Sequence, residues 1–332
     1  MQFMGENIWL WVGFNTFVVL MLALDLGVIN RQAHEITLRE SLVWSVIWTI
    51  IAALFAGLIW YLEKHPGAGF VMWGPASHKP TAEFVAGYLL ERALSTDNLF
   101  VFLLIFNYFS IEAKYQHRVL FWGILGALIM RALFIGAGIA LVHTFSWIMY
   151  VFGAFLIYTG IKMAFSRDEE MQPDKNPVYR IFRRWMDTSA GSGHGRFFIR
   201  HDGKLRFTPM FLVLLIVETS DVIFAFDSIP AVLAVTTDPF IVYSSNVMAI
   251  LGLRALYFAL AGMMKIFHHL NYGLSIILSF VGVKMIIKPW FEIPIGWALG
   301  FIGLMLALSV VASYIWPEKA EDTAAEEKRD EA

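Results

Sequence analysis

Nine stretches of about 20 apolar residues run through this chain, at roughly 9–29, 41–62, 81–107, 118–142, 145–165, 208–236, 241–263, 270–287 and 293–315. A helix needs about 20 such residues to cross the hydrocarbon core of a bilayer. In lipid its backbone groups must be satisfied internally. The expected fold is therefore an all-α polytopic membrane protein of about nine transmembrane helices. At about 22 residues each, nine spans leave only short loops, so no sizeable extramembrane domain is expected. Composition agrees: 58% of the 332 residues are hydrophobic and 16% charged, against about 45–50% and about 25% in soluble domains. That excludes an ordinary soluble enzyme. With 25 basic and 27 acidic residues there is no basic surplus of the kind nucleic-acid binding needs. There is no cysteine, which excludes disulfides, thiolate metal sites, iron–sulfur clusters and cysteine nucleophiles.

Lys and Arg collect on the cytoplasmic side of membrane proteins. Five basic residues fall inside spans: Arg92, Arg131, Lys162, Arg254 and Lys284. With the N-terminus outside, seventeen of the others lie inside and only Lys64, Lys79 and Lys288 outside. The expected topology is N-out, C-in. The first span lacks the basic flank and cleavage site of a signal peptide and reads as a retained helix. The one long loop, 166–207, carries mixed charge and the stretch Ser189–Gly195 (SAGSGHG). A cytoplasmic linker between two halves is the plain reading, and a regulatory segment the alternative. The tail 317–332 is charged and reads as disordered.

The third to fifth spans resemble the sixth to eighth. Glu91 is followed six residues on by Asp97-Asn98, and Asp221 by Asp227-Ser228. Next come Arg131-Ala-Leu-Phe and Arg254-Ala-Leu-Tyr, then Gly160-Ile-Lys-Met and Gly282-Val-Lys-Met. Three helices per unit is an odd number, so the second unit enters the membrane inverted, a transporter architecture. The expected organisation is two peripheral helices in 1–80, a first repeat in 81–165, the loop 166–207, a second repeat in 208–288, a last helix in 289–316 and the tail.

Acidic residues within the spans carry the chemistry. Each costs about 2.5–3.5 kcal/mol at a helix centre. Glu91, Asp97, Glu218, Asp221 and Asp227 together would cost more than ~12 kcal/mol if left uncompensated. Arg131, Lys162, Arg254 and Lys284 offer four counter-charges, so structural ion pairing accounts for some of them. Five acids against four cations leave an excess, which points to a cation or proton pathway. Arg92 follows Glu91 directly, faces another side of the helix, and reads as a packing or interface residue. Asp25 reads as a helix-end residue. Asn246 and Asn107 read as interhelical hydrogen-bonding groups. Asp221 and Asp227, like Glu91 and Asp97, lie about 120° apart on a straight helix. Holding one ion with both requires a broken helix, so a break is expected near Asp97–Asn98 and near Asp227–Pro230.

All nine histidines sit in loops or at span ends, and the adjacent pair His268-His269 reads as a span end rather than a ligand pair. The site is thus oxygen-only, which favours hard ions such as Mn²⁺, Mg²⁺ or Ca²⁺ over Zn²⁺, Ni²⁺ or copper. Clustered carboxylates also favour protonation, so the same acids can carry protons once a metal leaves. No P-loop, dinucleotide fingerprint, GxSxG or HExxH motif occurs, and no enzyme activity or resident cofactor is expected.

Glu91-Arg-Ala-Leu-Ser-Thr-Asp97-Asn98 and the longer Glu218-Thr-Ser-Asp221-Val-Ile-Phe-Ala-Phe-Asp227-Ser-Ile-Pro-Ala231 resemble the two acidic motifs of TerC-type integral membrane proteins, and Leu251-Gly-Leu-Arg254-Ala-Leu-Tyr257 follows in the matching place. The resemblance runs from about residue 10 to 315, most nearly to the Alx branch. It implies a multi-pass protein of the bacterial inner membrane that exports manganese. Glu91, Asp97, Asn98, Glu218, Asp221 and Asp227 would then line the Mn²⁺ pathway, with Arg131, Lys162, Arg254 and Lys284 as charge partners. The expected partners are a divalent cation, protons and the lipid bilayer. The alternative is a non-transporting membrane partner that aids insertion or metallation of other proteins.

Overall fold

The computed structural model describes residues 8–24, 37–65, 79–109, 111–145, 147–165, 196–201, 204–262 and 270–315. In chain order these form α1 (Ile8–Leu24), α2 (Leu38–Lys64), α3 (Pro80–Tyr108), α4 (Ala113–Thr144), α5 (Ile148–Phe165), β1 (Phe198–His201), β2 (Lys204–Phe207), α6 (Pro209–Leu233), α7 (Pro239–Leu251), α8 (Leu253–Ala261), α9 (Leu270–Ile287) and α10 (Ile295–Ile315). Local chemistry explains where they start. Thr37 accepts from the Glu40 amide in a Thr-x-x-Glu box at the head of α2. Proline at the first turn opens α3, α6 and α7, where its missing N–H costs nothing. Asp238 caps α7 by accepting from the Phe240 and Ile241 amides, both at 3.0 Å.

The burial pattern is that of a membrane protein. Trp9, Leu54, Phe165 and Trp297 are each more than two-thirds exposed, while Glu91, Ser244, Ser245 and Asn246 are fully buried. Such a surface suits lipid and would be an aggregation hazard in water. Five helices are long and apolar enough to cross a bilayer, namely α2, α4, α5, α6 and α10, and the bent pair α7–α8 makes a possible sixth. α1 and the described part of α9 are apolar but shorter. α3 is 29 residues long but carries Glu83, Glu91, Arg92 and Asp97. The molecule is thus an all-α polytopic membrane protein with one short hairpin.

Helices α3, α4, α6 and α7 pack together at the centre, with α8 against α2, α3 and α4. α5 pairs with α9. Their contact is close because glycines line it. A Cβ on Gly160 would lie 2.7 Å from the Ser275 carbonyl oxygen, and one on Gly282 would lie 2.6 Å from that of Gly153. Small residues that let backbones approach are a usual basis of helix association in lipid. Most of α2 and of α10 stays exposed at the edge. The hairpin closes the 166–207 loop onto α6, where Phe198 and Phe207 pack on Phe211. The rest of that loop, Asp25, the pair His268-His269 and the tail 317–332 lie outside the described residues.

The expected helix breaks are not where the acids are. α3 runs unbroken through Asp97–Asn98, and α6 through Asp227 and Pro230 to Leu233. Pro230 forfeits one backbone bond, but Ala231, Val232 and Leu233 beyond it are almost fully buried, and that packing holds the last turn. The break is in the seventh expected span. At Gly252, α7 and α8 meet at a bend of 41°. There Arg92 donates to the Ala249 carbonyl at 3.1 Å, an orphan acceptor at the end of α7. A cation at a helix C-terminus is electrostatically favoured. Gly252 leaves room for it, since a Cβ would lie 2.5 Å from the guanidinium nitrogen.

Candidate functional site

Three helices bring their charges to one point in the bundle. Glu91 of α3, Arg131 of α4 and Asp221 of α6 are all buried. Arg131 Nη1 is ion-paired with Glu91 Oε1, and Nη2 lies 3.3 Å from Asp221 Oδ1. The same Nη1 donates to Asn246 Oδ1 on α7 at 3.0 Å and to Ser228 Oγ on α6 at 3.2 Å. Ser95 donates to Glu91 Oε1 from one turn along α3, at 2.7 Å. Asn246 thus takes the interhelical role expected of it. Arg131 bridges the positions that the sequence pairs as equivalents, Glu91 and Asp221. The counter-charge role expected of Arg131 is visible here in its ion pairs with Glu91 and Asp221.

Several polar atoms of this cluster have no hydrogen-bond partner among the described residues: Glu91 Oε2, Asp221 Oδ2, Arg131 Nε and Asn246 Nδ2. Buried polar atoms without partners are costly. Beside Asp221 lies a cavity of about 20 Å³, whose charged lining groups are Asp221 and Arg254 and whose walls include Leu99, Phe102 and Leu253. That is room for about one water molecule. Arg254 is buried in the first turn of α8, directly after the break at Gly252, and lines this cavity with Asp221.

Glu218 is one turn before Asp221 on α6, within its electrostatic range. Its half-buried carboxyl lies flat against Gly126 of α4, in the space where a Cβ would stand. No spacing rule singled out Gly126. Changing Gly126→Ala is expected to cost roughly 1–3 kcal/mol through overpacking, read as a lower unfolding temperature. Adding Glu218→Ala should restore most of the loss, because the pair is in contact. If the double change is as unstable as the sum of the two, the contact is not the cause.

Asp227 faces elsewhere. It is half-buried and accepts from Thr159 Oγ1 of α5 at 3.1 Å. Lys162, exposed three residues further along α5, is within its electrostatic range. Asp221 and Asp227 therefore look out from different sides of one continuous helix, as their six-residue separation requires. Asn98 is buried on α3. Asp97 lies on the same helix, and its side chain is outside the described residues. Lys284 is not in the cluster. It lines a separate cavity with Lys79 and Glu83. Among the described residues no three carboxylate or imidazole groups converge as a preformed metal site.

Residues 76–321 match the profile of the Integral membrane protein TerC family. A protein of Photorhabdus laumondii named "Putative membrane-bound redox modulator Alx" is 46% identical over 316 residues, covering 95% of this chain and 97% of its own. The Escherichia coli K12 protein of that name is 43% identical over 309 residues, 92% and 94% of the two chains. An uncharacterized membrane protein of Myxococcus xanthus is 46% identical over 306 residues, 92% of each. No solved structure matches. Sequence motifs, the all-helical membrane architecture and near full-length relatives agree that this chain belongs to the TerC family of integral membrane proteins.

Proposed function

We propose that the protein is a secondary transporter that exports Mn²⁺ from the cytoplasm of a bacterial cell, across its inner membrane, in exchange for protons. The observation that carries this reading is the buried cluster. Among the described side chains, Glu91, Glu218 and Asp221 set three carboxyls against the two guanidiniums of Arg131 and Arg254, so these five groups, when ionised, carry one negative charge in excess. A transported cation or a proton relieves it. The oxygens Glu91 Oε2 and Asp221 Oδ2, without partners among the described residues, are the acceptors a hard cation would use. No Cys exists and no His stands among these groups, so softer metals find no preferred ligand. Arg131 acts as a tethered counter-ion in the empty state. Asp227 with Thr159, and Asp97 with Asn98, form further stations along the pathway.

Alternating access needs two halves that exchange roles. The nine-span, N-out reading with inverted three-helix units is supported by the contact of α5 with α9. A shift of 122 residues carries Gly160 onto Gly282, Gly153 onto Ser275 and Ile157 onto Ser279. Gly160 meets Ser275 O and Ser279 N, while Gly282 meets Gly153 O and Ile157 N. Exchanging the halves turns one set of contacts into the other, as a twofold axis between the units demands.

The relatives' name speaks of redox modulation. This chain has no cysteine, so thiol–disulfide exchange is closed to it. Moving a redox-active metal ion would be one route to such an effect. The test is transport by the purified protein in proteoliposomes with a pH-sensitive dye inside. A Mn²⁺ gradient is expected to drive proton movement in the opposite direction, and Zn²⁺ to drive less. Proton movement that is equal with and without Mn²⁺ would contradict antiport and favour the assembly-partner reading.

A further inference from the structure

A second cavity, of about 380 Å³, lies where the first turn of α3, the end of α6, the end of α9 and the start of α10 meet, and its charged lining residues are Lys79, Lys284, Lys288, Glu83 and Glu292. This volume is in the range of small-molecule sites. By the bias of basic residues these ends all face outside. Only Lys64, Lys79 and Lys288 are basic among the outer loop residues, and two of those three converge here with Lys284 from within a span. Lys284 is in electrostatic range of Lys288, Glu292 and Glu83. The two carboxylates offset two ammonium groups and leave one positive charge over. On the adjoining surface Trp290, Phe291 and Trp297 are 75%, 65% and 78% exposed. Large aromatic rings exposed at a span end mark the headgroup level of a bilayer.

We infer that this cavity is a binding site for the phosphate of an anionic phospholipid headgroup in the outer leaflet, held by Lys79, Lys284 and Lys288. The positive excess selects an anion. The aromatic rim sets the cavity at the depth where lipid phosphates lie and gives the acyl chains an apolar surface to follow. This site stands apart from the transport reading, because lipid binding is measured without any ion moving.

The experiment uses the purified full-length chain in a neutral detergent. Its unfolding temperature is followed while phosphatidylglycerol, phosphatidylcholine or inorganic phosphate is added at constant ionic strength. Phosphatidylglycerol is expected to raise the midpoint in a saturable way, with phosphatidylcholine and phosphate well below it. A lysine near a membrane surface contributes enough that Lys79→Gln or Lys288→Gln should each weaken binding roughly fivefold, and the pair more. Both lysines are exposed, so the variants are expected to fold. Equal stabilisation by phosphatidylcholine, or no loss in the double variant, would overturn the site. Phosphate matching phosphatidylglycerol would overturn the lipid as its source.

Discussion

Arg131→Ala is expected to leave the protein scarcely present in the membrane. The change removes the side chain that, among the described residues, bridges Glu91 and Asp221, and also takes donors from Asn246 and Ser228. Breaking a buried ion pair from one side costs roughly 3–5 kcal/mol, since a buried charge is left without its partner. That is a large part of the ~5–15 kcal/mol by which proteins are stable. Removing the stranded charges as well should recover much of the loss. The triple variant Arg131→Met, Glu91→Gln, Asp221→Asn is expected to accumulate near the wild-type level, yet to export nothing. Membrane abundance and unfolding temperature check both statements. Arg131→Ala at full abundance would show that the guanidinium is not what holds the two acids in the bundle.

Asp227→Asn is expected to behave in the opposite way, keeping the protein and losing the activity. Asp227 is only half-buried, and among the described residues it accepts a hydrogen bond from Thr159 and is not paired with Arg131. Asparagine accepts that bond equally well, and one fewer charge in the membrane lowers the cost of insertion. On the proposed function, what is lost is a hard anionic ligand. Thr159→Val tests the same station from its partner. Groups that orient a metal ligand are worth roughly 10–100-fold in affinity or activity, so export should fall within that range while the protein stays folded. Wild-type export in Thr159→Val would remove Thr159 from the pathway.

Much of this was legible in the sequence, because charge in an apolar span has few explanations. The intramembrane acids, the counter-charge role of Arg131 and the hydrogen-bonding role of Asn246 all follow from the cost of burying polar groups in lipid. The position of the break did not follow. The acid spacing of six residues suggested unwinding at Asp97 and Asp227, on the premise that one ion is held by both members of each pair. The intact helices resolve the same geometry differently, with Asp221 turned to α4 and Asp227 to α5. The real break falls at Gly252, a single glycine between leucines, and it is stabilised by Arg92 from a helix distant in sequence. Gly126 and Thr159 were invisible for a related reason. Spacing along one helix fixes which residues share a face, but the neighbour that face meets depends on how the helices rotate and pack. Lys284 shows the limit most clearly. It matches Lys162 by sequence, yet it lines a separate cavity with Lys79 and Glu83 instead of joining the acid cluster.

The central claim is that intramembrane carboxylates carry manganese out of the cell. It is tested most directly by the manganese content of a Mn²⁺-sensitive host expressing either the wild type or Asp227→Asn, at matched membrane levels. Lower cellular manganese with the wild type, and the level of the empty host with Asp227→Asn, is the predicted result. Equal manganese in all three would contradict export of this ion.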